Sequence, residues 1–119
     1  MKDLGDYFEQ CAEDFLVANG MAVIGRNYRC RVGEIDLIAR HDQYLVFVEV
    51  RARSNKRYAS AAASVDKRKQ QRLVRSAQHF LQRNQQLSNF PCRFDVITFE
   101  PRQSPAEQSP RWIRGAFRT

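Results

Sequence analysis

The 119-residue sequence predicts a single α/β domain: one mixed sheet flanked by two helices, in the order αβββαβ. Three observations point there. Apolar residues recur at three- and four-residue spacing near both ends of the first 84 residues, the period of a helix with one buried stripe. Between those stretches lie β-rich segments, two of them joined by a short polar loop in the manner of a hairpin. A chain of this length supports one core, burying roughly two-thirds of its unfolded surface, so residues 1–119 are read as one domain.

Residues 3–19 are expected to be helical, with Leu4, Phe8, Cys11, Ala12, Phe15 and Leu16 as the apolar stripe and Asp3 and Asp6 suiting the positive N-terminal end. Gly20 supplies a stop. Met21 to Tyr28 reads as a first strand, Glu34–Arg40 and Leu45–Arg51 as the second and third, joined by His41-Asp42-Gln43-Tyr44. Residues 52–63 show no period, and a loop that long in a compact domain is functional or mobile. Ser64 is the expected N-cap of a second helix over about 65–84, whose stripe is Leu73, Val74, Ala77, Phe80 and Leu81. Cys92–Phe99 is a further strand, 101–110 a turn-rich connection, and Arg111–Arg114 a last short strand.

Composition excludes several classes. With 43% apolar and 28% charged residues the chain is globular, and it holds no run of the ~20 apolar residues that a bilayer span needs. The first fifteen residues carry five acids and one lysine, the reverse of a targeting peptide. Cys11, Cys30 and Cys92 are odd in number and lack zinc-ligand spacing, so a reducing, cytoplasmic setting is expected. The net charge of +7 is concentrated: residues 51–75 hold nine cations and one acid, a local +8 that leaves the remainder near neutral. A polyanionic partner follows from that segment, and no base-reading motif chooses DNA over RNA there.

The hairpin carries the chemistry. If Arg40 faces Leu45, opposed residue numbers sum to 85, which sets Asp36 across from Glu49 and Glu34 across from Arg51. By strict alternation these four share one face, and Ile35, Leu37 and Ala39 share the other with Val46, Val48 and Val50. Opposed carboxylates repel by roughly 3 kcal/mol at ~5 Å and an effective dielectric of 20. Two arrangements relieve that repulsion. A divalent cation such as Mg²⁺ bridges Asp36 and Glu49, or Arg51 and a neighbouring lysine neutralise the pair as an ionic ladder.

Gly33-Glu-Ile-Asp-Leu-Ile and Val46-Phe-Val-Glu-Val-Arg-Ala-Arg53 resemble the YraN family of bacterial proteins. The resemblance extends to Gly5-x-x-x-Glu9, Ala63-Ser-Val-x-x-x-Lys69-Gln70 and Arg93-Phe-Asp-Val-Ile. That family is similar to the restriction-endonuclease-like fold and to archaeal Holliday-junction resolvases with a D…ExK signature. The resemblance implies Mg²⁺ or Mn²⁺ as cofactor, held by Asp36, Glu49, the carbonyl of Val50 and Glu9. It places Arg51 where those nucleases have lysine; arginine can hold phosphate or stabilise charge but keeps its proton. It implies DNA, branched or otherwise structured, as the partner, and a homodimer, since a four-way junction has paired cleavage sites.

Arg51, Arg53, Lys67, Lys69, Gln70 and Arg72 form the expected backbone-binding track, with Tyr58 able to stack on a base. A second reading is a DNA- or RNA-binding scaffold that keeps the fold and the basic surface without turnover. His41 and His79 match no ligand spacing and read as surface residues. Asp95 is expected either to pair with Arg93 or to support the carboxylate cluster, and Trp112 with Phe117 to pack on the core.

Overall fold

In the computed structural model, which describes residues 4–52, 65–100 and 110–117, the elements follow the expected order. They are α1 (Leu4–Ala18), β1 (Ala22–Cys30), β2 (Gly33–His41), β3 (Tyr44–Ala52), α2 (Lys67–Arg83), β4 (Cys92–Phe99) and β5 (Arg111–Ile113). The sheet runs β1-β2-β3-β4-β5; β3 and β4 are parallel and the other neighbours antiparallel. Parallel pairing needs a crossover, and α2 supplies it between β3 and β4. Of the expected loop at 52–63, Ala52 ends β3, whereas 53–63 with Arg53 and Tyr58, the expected cap Ser64, and 101–109 lie outside the described residues.

Helix α1 ends as its sequence dictates. Gly20 takes φ +87°, a conformation open to glycine, and Met21 N–H returns to the Leu16 carbonyl at 3.0 Å, closing a Schellman turn. Helix α2 starts later than expected, because Asp66 is its cap: the carboxylate accepts from Lys69 N–H at 2.8 Å. A short 3₁₀ turn at Gln85–Leu87, which periodicity did not reveal, leads into β4.

Two cores cover the two faces. Phe8, Ala12 and Leu16 of α1 pack with Leu37, Ala39, Val46, Val48 and Ile97, while Leu73, Ala77 and Phe80 of α2 pack with Ile38, Phe47, Phe94 and Val96. Phe47 is 1% exposed and contacts Phe80 edge-on and Phe94 in a stack. Trp112 joins the α1 core edge-on to Phe15, and Phe117 stacks on Phe94.

The alternation of faces is not kept throughout β2, which corrects the expected two-sided pattern. Leu37 packs in the α1 core but Ile35, two residues earlier, packs in the α2 core. The slip is centred on Asp36. On β1 the rung that would join Asn27 to Asp36 is missing, and Asn27 adopts φ +49°. Alternation demands a regular pleat, and the strand twists out of it here.

Candidate metal centre

The β2–β3 ladder follows the expected register from His41↔Tyr44 to Leu37↔Val48 and then stops. Ile35 and Val50 would form the next hydrogen-bonded pair. Instead, the Asp36 carboxylate accepts the Val50 N–H through Oδ2 at 2.8 Å. An acidic side chain thus takes the place of a backbone carbonyl, and the two strands part beyond it. Asp36 and Glu49 do meet across this split, although they are not a rung of the ladder. Glu34 does not face Arg51 as the extended register required; it pairs with Arg29 of β1 at 2.9 Å.

The split gathers acids from both layers. One carboxylate oxygen each from Glu9 of α1, Glu34 and Asp36 lie within 4.8 Å of one another. Glu49, 4% exposed, adjoins Asp36 from the α2 side. Burial pushes the Asp36 carboxyl up to about 8, and the charge of Glu49 adds to the rise. The Val50 N–H opposes it, whereas a hydrogen bond with Glu49 and the charge of Glu9 reinforce it. Hard oxygen donors that repel one another in a half-buried site suit Mg²⁺ or Mn²⁺, so the donor set fits the cation that the family resemblance implies.

Two cations adjoin Glu49: Arg51 Nε lies 3.4 Å and Lys69 Nζ 3.3 Å from its Oε2. The first turn of α2 thus brings a lysine beside Glu49, whose neighbour on β3 is Arg51. Lys69 was expected only in the phosphate-binding track and Glu34 only opposite Arg51, although its place two residues before Asp36 put it on the same expected face. Of the remaining track, Lys67 and Arg72 are exposed on α2. Gln70 is already engaged, donating Nε2–H to the Val65 carbonyl at 2.8 Å.

Asp95 takes no part in the cluster. It is 1% exposed and accepts four hydrogen bonds: two from Arg93 at 2.9 and 3.0 Å, one from Trp112 Nε1 and one from Gly115 N–H, each at 2.9 Å. It is a clasp that fixes β5 and the following turn to β4. The histidines are more than surface residues: both are half-buried, with His41 Nδ1 accepting from Arg93 at 2.9 Å and His79 Nδ1 paired with the Tyr28 hydroxyl. Among the described residues, no helix is long and apolar enough to cross a membrane.

Comparison with known proteins adds the family. The model of an uncharacterised protein family, UPF0102, matches residues 8–99. A UPF0102 protein of Methylobacillus flagellatus is 47% identical over 117 residues, covering 98% of each chain. One of Nitrosomonas europaea is 47% identical over 113 residues, 95% of this chain and 92% of its own. One of Legionella pneumophila is 39% identical over 116 residues, 98% and 95% of the two chains.

Proposed function

The chain belongs to the uncharacterised family UPF0102, and from the carboxylates gathered where its sheet opens we propose that it is a metal-dependent DNA endonuclease. The observation that carries this reading is the mutual approach of Glu9, Glu34 and Asp36 beside buried Glu49, with a lysine at the same place. Asp36, Glu49 and Glu9 would hold Mg²⁺ or Mn²⁺, with Glu34 added to the expected set. Val50 belongs to it as well, because the N–H and C=O of a strand residue point the same way. Its N–H already points into the split, toward Asp36. The bound cation supplies charge stabilisation for phosphodiester hydrolysis and a nucleophile at neutral pH.

The chain's own groups do the rest. The Lys69 ammonium, beside Glu49, donates to a water or a phosphate oxygen and can pass on a proton, which Arg51 cannot. Arg51 is left to hold phosphate and to balance the charge of Glu49. The exposed cations of α2, Lys67 and Arg72, guide the DNA backbone toward the split. A branched substrate and a homodimer belong to the same proposal, on the resemblance to junction resolvases.

The rival is a DNA-binding module without turnover, and the observation in its favour is that Arg51 and Lys69 already neutralise Glu49. A cleavage panel of junction, flap, single-stranded and duplex DNA with Mg²⁺ or Mn²⁺ separates the two. The endonuclease should cut at least one substrate, with Glu49→Ala abolishing cleavage and sparing binding. Binding that is indifferent to EDTA, with no cleavage of any substrate, establishes the rival.

A further inference from the structure

Beside the carboxylate cluster, and sharing Glu34 with it, a concavity of about 520 Å³ lies between the β1–β2 hairpin tip and the first half of α2. Arg29 and Arg31 line it from the hairpin, Lys69 and Arg72 from the helix, against one carboxylate, Glu34. Nothing in the sequence connected these two pairs, which are about forty residues apart; the tertiary fold brings them to the walls of one cleft. We propose that this cleft is a phosphate-binding subsite that seats a DNA backbone phosphate flanking the one at the carboxylates. The proposal rests on the nucleic-acid reading above and extends it from Lys69 and Arg72 of the expected track to the hairpin arginines, which lie outside it.

The cleft is built, because the hairpin tip is anchored against α2. A Cβ on Gly33 would stand 2.9 Å from Ser76 Oγ, so the Gly33 backbone lies directly on a helix side chain that is 0% exposed. Cys30 Sγ reaches the same hydroxyl at 3.7 Å. This close seating holds Arg31, in the turn, in one cleft with Arg72 and lowers the ordering cost of binding there. Charge supports the same assignment. Arg29 is paired with Glu34 and Lys69 with Glu49, whereas Arg31 and Arg72 form no ion pair among the described residues and are exposed. Guanidinium forks match phosphate oxygens in bidentate fashion, and two unpaired forks on the walls of one cleft, whose single carboxylate Glu34 is already paired with Arg29, present an anion site.

Position gives the site its role. Lys69 and Glu34 belong both to the cleft wall and to the carboxylate region, so a strand that enters the split passes directly into the cleft. The phosphate bound there sets the direction in which DNA crosses the sheet end, over β1 and β2.

The test is the salt dependence of binding to a short fluorescein-labelled mixed-sequence duplex, followed by anisotropy in EDTA. Each phosphate contact contributes about 0.9 to the slope of log K against log salt. Arg31→Ala and Arg72→Ala should each weaken binding and lower that slope by about one. Arg83→Ala, at the far end of α2, should leave it unchanged. Calorimetric Mn²⁺ binding by Arg31→Ala should match the parent, showing that the carboxylates are undisturbed. If the parent binds the duplex and both cleft variants keep its slope, the subsite is refuted while the nucleic-acid reading stands. If the parent binds neither duplex nor four-way junction even at low salt, the nucleic-acid reading falls and the subsite with it.

Discussion

Replacing Asp36 by asparagine should stabilise the protein in EDTA while destroying its response to metal. In the unfolded chain this carboxyl titrates near 3.8; in the fold it is pushed up to about 8 by burial and by Glu49. The folded state therefore binds one proton more than the unfolded state across that window, and stability falls as pH rises from about 4 to about 8. At 1.36 kcal/mol per unit, the raised value makes ionic Asp36 unfavourable by about 4 kcal/mol at pH 7 as an upper bound. Partial solvent access lowers this to about 2–4 kcal/mol. Asparagine keeps the acceptor for Val50 N–H, adds a donor toward Glu49, and carries no charge to bury. Asp36→Asn should thus equal the parent near pH 4 and exceed it by about 2–4 kcal/mol at pH 7. For a chain of this length that is about 10 °C in melting temperature. Urea unfolding at a series of pH values measures it. Added Mn²⁺ should reverse the order by stabilising only the parent. A variant that is less stable at pH 7, or whose advantage does not change with pH, would refute the reasoning.

Three further outcomes follow from the same geometry. Because Asp36 must lose its proton to bind a cation, Mn²⁺ affinity should rise with pH up to about 8, with about one proton released per ion at pH 7. Calorimetry in two buffers of different ionisation enthalpy counts the proton. Asp95→Ala leaves Arg93 without its carboxylate and should cost about 3–5 kcal/mol in urea unfolding. An unchanged midpoint would show that the β4–β5 clasp is not structural. Gly33→Ala thrusts a methyl group against Ser76 Oγ and should cost about 1–3 kcal/mol. Adding Ser76→Ala should recover part of that loss, and no recovery would place the strain elsewhere.

Periodicity made the helices legible, because a buried stripe at spacing 3.6 needs only local sequence. The interior β2–β3 register was legible for a similar reason: the two-residue turn at Asp42-Gln43 sets the pairing from His41↔Tyr44 onward. Where the reading failed, a side chain had displaced a backbone group. Asp66 caps α2, two residues later than expected, its carboxylate accepting the Lys69 N–H. Extrapolating the ladder to Glu34 and Arg51 assumed that backbone pairing continues, but the Asp36 carboxylate ends it by taking the Val50 N–H.

The acidic pair and the basic segment at 51–75 were therefore written in the order of residues, as was the α/β architecture. The company those residues keep was not. Glu34 joins Asp36 and the Glu9 that the family resemblance had named, Lys69 joins Glu49, and Arg31 shares a cleft with Arg72 only because α1 and α2 dock on opposite faces of a sheet that splits at one end. Hydrophobic period and turn chemistry act over a few residues, whereas charged groups from distant segments meet only where packing brings their elements together.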